Sequence, residues 1–498
     1  MSLGARAALA DQVIDDPELA AVPHEAQVAP PPANGPHDTT WRATVHTRWG
    51  VDTDWTRASQ DIVEGTTIAS LEAEQRRSDT LLLSAGLRVR HGFAVHQSGA
   101  ALYELDVAPL SLYADVTPGA GYHVRAGYQI ISMGRFDLFS ATNFLATYDL
   151  RSGPVTMSEA SPIATPALRF DFDKFRGFTL QAFYLPFFVP HVVDAYGTNY
   201  ALTSAFDRAH LGNDASRVAL ERAFGRSAIT TGSTAALAAL APPPDFREPQ
   251  GALRATFYGS VGELSATVGT ALEPLPTLST SPAFAAYLAS IATGTTPTPA
   301  QVNAAGDHPI QAQHWRYGIA SLDAAIDAGP LQLGAEASYM LHRTLLGAKP
   351  ALTTTGVPTA SAEQVNMAQF GLRAEYVQGT EWAVVVESFF AVAMRNPTDP
   401  TLAWLGMDGR YQYGVATGVH YTPEKSRLRF EFGGAALAVA TYLLMPRIEW
   451  EALNSFFLEL GGVFVEGKKP GPLGSHPFSF GGLYTDVDQV FVGARWSP

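Results

Sequence analysis

The sequence predicts an all-β protein, a transmembrane antiparallel up-and-down β-barrel of about eighteen strands. Three observations carry this prediction. Segments of about ten residues alternate apolar and polar side chains, short and long connections alternate along the chain, and charged residues fall on one face of the segments. A closed barrel is the β-structure that crosses a membrane, because closure leaves no backbone group unpaired in lipid.

The last stretch, 484–496, shows the alternation clearly. One face carries Val490, Val492, Ala494 and Trp496, and the other carries Gln489, Phe491, Gly493 and Arg495. A period of two indicates a strand with one apolar face. An aromatic-ended strand at the C-terminus resembles the closing strand of bacterial outer-membrane barrels, where it also acts as the assembly signal. The resemblance implies that Phe491 and Trp496 form this signal and that the barrel-assembly machinery is a partner.

The same alternation predicts the other strands. It begins with a long run at 41–55, in which Trp41, Val45 and Trp49 share a face. The further segments are 81–89, 101–116, 122–132, 167–173, 178–186, 253–261, 264–272, 315–325, 331–341, 368–377, 382–392, 411–421, 427–438, 442–452 and 456–465.

The connections sort by length. Tight turns alternate with long loops at 187–250, 273–312, 343–364, 394–409 and 466–483, as in a barrel with periplasmic turns and extracellular loops. Termini on the same side require an even number of strands, and 66–77 supplies the eighteenth. Sixteen is the alternative if 167–173 or the region 427–452 is misread. Helix-like stretches at 215–224 and 281–291 lie in long loops, where they either constrict the pore or decorate the surface.

Composition restricts the class of protein. The chain has 498 residues, 16% charged residues and a net charge of −14, which argues against a nucleic-acid partner. It has no Cys, which excludes disulfides and thiolate metal sites. No apolar run approaches the roughly 18 residues of a membrane helix.

The chain divides into three parts. Residues 1–10 end in Ala8-Leu9-Ala10, which is typical of a signal-peptide cleavage site, although an ordinary disordered terminus explains them equally well. Residues 11–40 are acidic and Pro-rich and are predicted to be disordered. Residues 41–498 form the single barrel domain.

The charged faces must point into the lumen, because an Arg facing lipid at mid-bilayer costs about 2–4 kcal/mol. A barrel of this size leaves an aqueous channel unless loops fill it. Many such charges only brace the wall. The pore-lining candidates are Arg48, Arg88, Arg90, Glu104, Arg125, Arg169, Arg254, Arg316, Glu336, Arg373, Glu375, Glu387, Arg429 and Glu431.

The segment 122–188 resembles a large, mostly uncharacterised family of Gram-negative outer-membrane barrels, a domain of unknown function. Its members show Gly-Arg-Gln and Trp-Gly at a strand end, then Asn-Pro-x-Asp-Leu-Arg, then a Pro-led strand pair. The matching residues are Gly127, Gln129, Gly134, Asp149, Leu150 and Arg151. Tyr128, Met133 and Ala146-Thr147 depart from the pattern, in place of Arg, Trp and Asn-Pro. The resemblance covers about the first two hundred residues and implies fold and location in the outer membrane of a Gram-negative bacterium.

No nucleophile, phosphate-binding or metal motif is present in the sequence, and His91 with His96 is a weak candidate for a metal pair. We therefore expect no enzyme activity, no cofactor and no metal. The predicted function is a porin-like channel for small molecules whose substrate is unknown. The alternative is a non-conducting scaffold barrel, possibly linked to export, whose loops 187–250 and 273–312 bind a partner or lipid. A barrel hydrolase is the third and weakest hypothesis. Outer-membrane lipid and lipopolysaccharide are expected partners.

Overall fold

A computed structural model describes the chain except at its N-terminus and in parts of its long connections. The described residues are 39–53, 61–96, 101–136, 139–151, 161–193, 248–280, 310–348, 360–379, 381–400, 403–404, 406–467 and 488–497, with a few positions between 283 and 301. The predicted N-terminal segment 1–10, most of the segment 11–40 and the helix-like stretch 215–224 lie outside these residues. Of 281–291, the described positions Ala283, Ala286, Tyr287 and Ser290 are helical.

Eighteen antiparallel strands form one closed barrel. The first half consists of β1 (Thr39–Asp52), β2 (Asp61–Ser78), β3 (Leu81–His96), β4 (Ala101–Gly119), β5 (Tyr122–Gln129), β8 (Thr165–Phe172), β9 (Phe178–Leu185), β10 (Gln250–Tyr258) and β11 (Gly262–Leu272). The second half consists of β14 (Arg316–Ala328), β15 (Leu331–Ala348), β16 (Ala360–Gln378), β17 (Trp382–Ala393), β19 (Tyr411–Tyr421), β20 (Leu428–Leu437), β21 (Thr441–Leu453), β22 (Phe456–Glu466) and β23 (Gln489–Trp496).

The ring closes between the first and last strands, where Val45 lies opposite Trp496 and Asp52 opposite Gln489. Five short strands lie outside this ring of eighteen. They are β6 (Tyr148–Asp149), β7 (Ser161–Pro162), β12 (Thr277–Thr280), β13 (Ile310–Gln313) and β18 (Ala403–Trp404). Strand β18 pairs with the end of β15, and the other four form two small hairpin pairs.

The two faces of the wall differ as the alternation predicts. Outward positions carry exposed apolar side chains such as Leu264, Leu322 and Leu372, whereas Asp323 and Glu449 on the inward face are buried. An apolar outer surface on a closed barrel is the signature of a transmembrane barrel of the outer-membrane type. Among the described residues, no helix has the length and apolar character needed to cross a membrane.

All eighteen predicted strands are confirmed, so the alternative of sixteen is wrong. Several boundaries differ from the prediction. The predicted loop 343–364 is strand at both ends, because β15 continues to Ala348 and β16 begins at Ala360. Strand β1 begins at Thr39, and β23 begins at Gln489 rather than at 484. The predicted strand 122–132 ends at Gln129, where the chain leaves the wall.

Candidate functional site: an inner segment on the barrel wall

The chain turns into the lumen at the end of β5. Gly127 in this strand has a φ of +130°, and a Cβ there would lie 2.1 Å from the Leu112 carbonyl oxygen. Only glycine fits so close an approach. Two residues on, the buried Gln129 side chain donates a hydrogen bond to the Ala167 carbonyl at 3.0 Å. Residues 130–151, here called the inner segment, follow; positions 137 and 138 are outside the described part.

Apolar packing holds the inner segment against the wall. Ile131, Met133 and Leu145 are buried in one cluster with inward-facing side chains of β8, β9, β10, β11 and β14. The wall contributes Ala167, Phe183, Leu185, Ala252, Ala271 and Tyr317. Three of these are alanines, and their small size lets the segment approach the backbone of the wall closely.

The inner segment also folds back on itself. The Met133 amide donates to the Asn143 Oδ1 at 3.2 Å, and the Asn143 Nδ2 donates to the Tyr148 hydroxyl at 2.7 Å. A Cβ on Gly134 would collide with the side chain of Ser140. The outgoing and returning halves are therefore joined side by side and form a compact unit.

A single wall carboxylate holds the turn of this unit. Glu336 on β15 accepts hydrogen bonds from the Ser140 hydroxyl at 2.8 Å and from the amides of Ala141 and Thr142 at 2.7 and 2.9 Å. The Thr142 hydroxyl reaches Ser321 on β14 at 3.1 Å. Hydrogen bonds to an ionised carboxylate are stronger than neutral ones, so Glu336 is the principal polar anchor of the turn.

The tip of the segment reaches β16 and β17. The Phe139 ring lies 4.3 Å from the Phe389 ring, and the Gln369 Nε2 donates to the Phe139 carbonyl at 2.6 Å. The Arg373 Nη1 donates to the Arg135 carbonyl at 2.6 Å. The Arg135 side chain forms ion pairs with Glu263 and Asp323. Buried backbone carbonyls thus take their donors from the wall rather than from water.

The returning half joins a neighbouring connection at the mouth. Leu150 donates its amide to the Val192 carbonyl at 2.7 Å, Val192 donates to Tyr148 at 3.0 Å, and the Tyr148 amide donates to the His191 Nδ1 at 3.2 Å. Burial lowers the pKa of His191 to about 3, and the charge of Arg343 adds to the effect. The imidazole is therefore neutral at physiological pH and accepts this hydrogen bond.

The segment ends in a buried ion cluster on strands β3 and β4. Arg151 contacts Asp149 at 2.6 Å, Asp106 at 2.9 Å and Glu104 at 3.4 Å. Two further guanidinium groups compensate the acids, since Arg90 contacts Glu104 at 3.2 Å and Arg88 lies 3.7 Å from Asp149. Burial alone would raise the pKa of Asp149, but the hydrogen bond and charge of Arg151 lower it below its usual value.

The inner segment occupies one arc of the barrel. Its described contacts run from β3 and β4 through β8 to β17, and Phe389 and Asp106 lie nine strands apart in a ring of eighteen. The remaining strands, β19 to β23, β1 and β2, form the other arc. On that arc six inward side chains form what we call the charged ladder, which consists of Arg48, Glu431, Arg447, Glu449, Glu459 and Arg495.

The charged ladder is a continuous network. Glu459 pairs with Arg48 at 3.0 Å and with Arg447 at 3.6 Å, and Arg447 also pairs with Glu431. Glu449 pairs with Arg495 at 3.2 Å. Two histidines join it, because His46 lies 2.9 Å from Glu459 and His420 lies 3.5 Å from Glu431. This arc of the wall therefore carries inward charges of both signs.

The predicted pore-lining residues separate into three sets. Those that contact or support the inner segment are Arg88, Arg90, Glu104, Arg254, Glu336, Arg373, Glu375 and Glu387. Arg48, Arg429 and Glu431 belong to or adjoin the charged ladder. The others pair locally, Arg125 with Asp115, Arg169 with Asp171, and Arg316 with Glu248 at the rim. Their role in a passage stays a prediction.

The inner segment itself is not predicted by the pattern of the sequence. Its key residues, such as Ser140, Asn143 and Phe139, carry no period-two signal that distinguishes them from an ordinary loop. One signal was available. Inward positions of β8 to β11 are apolar at Ala167, Phe183, Ala252 and Ala271, and an apolar inner face requires something to pack on it. Of the expected assembly signal, Phe491 points inward and is buried, and Trp496 points outward and is exposed.

Comparisons with known proteins agree on architecture only. Neither a family model nor a curated protein sequence matches the chain, so membership of the resembled family stays a prediction. Solved structures with a similar fold include OmpF of Salmonella typhi in complex with daunomycin, with a TM-score of 0.44 and 9% identity over 94% of this chain and 99% of that chain. OccAB1 of Acinetobacter baumannii has a TM-score of 0.45 and 8% identity over 94% and 98%.

OccK7 (OpdD) of Pseudomonas aeruginosa has a TM-score of 0.46 and 10% identity over 93% of this chain and 99% of that chain. Values this low carry no argument about substrate. The fold defines a closed antiparallel eighteen-stranded β-barrel with an apolar outer surface. In the described part, no three His, Asp or Glu side chains are grouped so as to hold a metal ion.

Proposed function

We propose that this protein is a channel that passes small polar molecules across the outer membrane of a Gram-negative bacterium. The observation that carries the proposal is the one-sided placement of the inner segment. Its contacts lie on the arc from β3 to β17, and the charged ladder lies on the remaining strands. A solute would move between these two surfaces, with the segment setting the width and the ladder selecting by charge.

The charged ladder suits selection because its charges have several partners. A carboxylate such as Glu459, shared by Arg48, Arg447 and His46, exchanges one partner for a solute without being left unpaired. Ion pairs that alternate in sign offer successive weak sites to an ionic solute, which conduction requires. The solute itself is unknown.

Single-channel recording in a planar bilayer tests the proposal. We expect steady ohmic steps from the refolded full chain, and larger steps after deletion of residues 136–145. The chain has no cysteine, so Thr142→Cys with Ser321→Cys creates the only disulfide. That bond joins two side chains whose oxygens are 3.1 Å apart and should leave the conductance unchanged, because it fixes the segment where it already lies.

Deletion of residues 200–240 is recorded in parallel, since this connection is longer and carries the helix-like stretch 215–224. A larger step after the 136–145 deletion than after this one would assign the constriction to the inner segment. Silence in all these variants, with heat-modifiable gel mobility showing a folded barrel, would overturn the proposal. It would favour the scaffold function, in which loops 187–250 and 273–312 bind a partner or lipid.

A further inference from the structure

One wall strand contains a proline at an unusual position. Pro446 lies in the interior of β21, outward-facing and exposed to the membrane. A proline has no N–H to donate, so it is normally found at strand edges, strand starts or bulges. The ladder between β21 and β22 runs to Leu444 opposite Phe464 and resumes only at Arg447 opposite Gly461. The pairs Met445–Val463 and Pro446–Gly462 are missing from it, while Pro446 keeps its partner Phe432 in β20.

The other prolines of the described wall strands follow the usual rule. Pro109 lies beside the register shift at Gly86–Leu87, and Pro118 lies within the shift between Val116 and Gly119. Pro166 is the second residue of β8. At Pro446, in contrast, the register is unchanged on either side of the gap. The gap is therefore a local break in an otherwise regular seam.

Glycines surround this break on both faces of the wall. Gly461 and Gly433 face inward, where a Cβ would meet the Phe491 ring at 2.4 Å and the Met445 side chain at 2.9 Å, respectively. Gly462 and Gly434 face outward. A Cβ on Gly462 would lie 2.9 Å from the Phe464 ring, and a Cβ on Gly434 would lie 3.4 Å from the Phe432 ring. Side chains of neighbouring residues therefore cover the wall at this point. The Phe491 ring and the Met445 side chain fill the inner space that the two glycines leave.

An apolar cluster lies directly inside the break. It consists of Leu443, Val463, Val465 and Phe491, with Ala435 and Met445 packed against it. These are inward positions, which elsewhere on the same strands carry the charged ladder, including Arg447 and Glu459. At the break, the apolar cluster therefore lies on the lumen side of the wall, and the hydrocarbon of the bilayer lies on the other side.

We propose that the seam between β21 and β22 is a lateral exit through which uncharged apolar molecules pass from the lumen into the membrane. The apolar cluster takes up the molecule, the side chains of Phe491 and Met445 rotate away from the glycines, and the two strands part at Pro446, where the ladder is already interrupted. The molecule contacts only apolar side chains and glycines along this route. The route is independent of axial ion conduction.

The absence of cysteine allows the seam to be closed chemically. Met445→Cys with Val463→Cys places two thiols on the inward face opposite each other across the gap, by the register on either side. Residues opposite each other on antiparallel strands are close enough for a disulfide after small adjustments. Ala436→Cys with Tyr442→Cys is the matched control, since this pair lies outside the apolar cluster and closes the neighbouring β20–β21 seam, where the ladder is continuous.

The measurement is uptake of N-phenyl-1-naphthylamine, an uncharged probe that fluoresces in hydrocarbon, by intact Gram-negative cells producing the full chain. We expect the protein to raise the initial uptake rate severalfold over cells that lack it. The 445–463 disulfide should abolish this increase and dithiothreitol should restore it, whereas the 436–442 disulfide should leave it intact. Pro446→Val, which supplies the missing N–H, should reduce uptake, and Pro109→Val should not.

Two results would overturn the lateral exit. One is uptake no greater than in cells without the protein, and the other is uptake that neither the 445–463 disulfide nor Pro446→Val reduces. Bilayer conductance of the same variants separates this inference from the proposed channel. Normal conductance without probe uptake would contradict the lateral exit only. Probe uptake by a barrel that conducts no ions would contradict the proposed channel only.

Discussion

Glu336 on the barrel wall and Ser140 on the inner segment are joined by a hydrogen bond of 2.8 Å, although they are separated by 196 residues along the chain. The same carboxylate also accepts the amides of Ala141 and Thr142. A single side chain thus positions the turn of the segment over β15. The first prediction tests this anchor.

Glu336→Gln should loosen the turn, because a neutral amide oxygen accepts the two amides more weakly than a carboxylate. The expected cost is about 1–3 kcal/mol. We expect single-channel recordings of this variant to become noisier, with excursions to larger conductance. Glu72→Gln is the control. Glu72 is another inward wall carboxylate, but it is bound by the hydroxyls of Ser84 and Ser111 and not by the inner segment. Identical noise in the two variants would show that Glu336 is not the anchor.

Removal of Arg151 should destabilise the barrel strongly. Arg151→Met leaves Asp149, Asp106 and Glu104 near one another with less compensation, and breaking a buried ion cluster in this way costs about 3–5 kcal/mol. Urea unfolding followed by gel mobility measures the loss. Arg316→Met removes a half-exposed pair with Glu248 at the rim and should cost at most about 1 kcal/mol. Equal losses for the two variants would contradict the prediction.

Acidification should open the junction between the inner segment and residues 189–192. The pKa of His191 is about 3 in the closed junction, against 6.5 for a free imidazole, so the open state takes up the proton first. Stability of the junction therefore falls as pH drops below 6.5, by up to about 1.4 kcal/mol per pH unit until pH 3 is reached.

Hydrogen exchange of the Leu150 and Val192 amides, corrected for intrinsic rates, follows this opening. Their protection should decrease between pH 7 and pH 5. In His191→Gln the side chain accepts the Tyr148 amide but does not titrate, so the decrease should disappear. A decrease of the same size in this variant would assign the pH dependence to another group.

Gly127→Ala should impair folding, because its Cβ would meet the Leu112 carbonyl oxygen at 2.1 Å and its φ of +130° is unfavourable for any other residue. We expect a loss of at least about 1–3 kcal/mol in unfolding experiments. Gly418→Ala provides the comparison, because a Cβ at this wall position meets nothing within 4 Å. If Gly127→Ala were as stable as Gly418→Ala, the close approach would not constrain β5.

The barrel was predictable because each strand carries its own signal. The period of two in segments such as 264–272 and 382–392 reports on one face in lipid and one in the lumen, and the alternation of connection lengths supplies the strand number. The inner segment was not predictable in the same way. Ile131 and Met133 follow Gln129 at intervals of two, so the alternation continues after the strand has ended and predicts a longer strand than the structure has.

The candidate site was predictable only in part, for a physical reason. Inward charges such as Arg373 and Glu387 are visible from the parity of their strands, but their partners depend on which strands face one another across the lumen. Arg373 donates to the carbonyl of Arg135, which is 238 residues away. Contacts between backbone carbonyls and distant side chains leave no trace in the local pattern of residues.

The pairing of β1 with β23 has a consequence for the order of assembly. His46 and Glu459 are 413 residues apart, and their contact, like that of Arg48 with Glu459, depends on both ends of the chain being in place. Bringing the ends of a flexible chain of this length together costs on the order of 5 kcal/mol in conformational entropy. Ring closure is therefore the step that completes the charged ladder, so a barrel that has not closed lacks the surface on which its selectivity would depend.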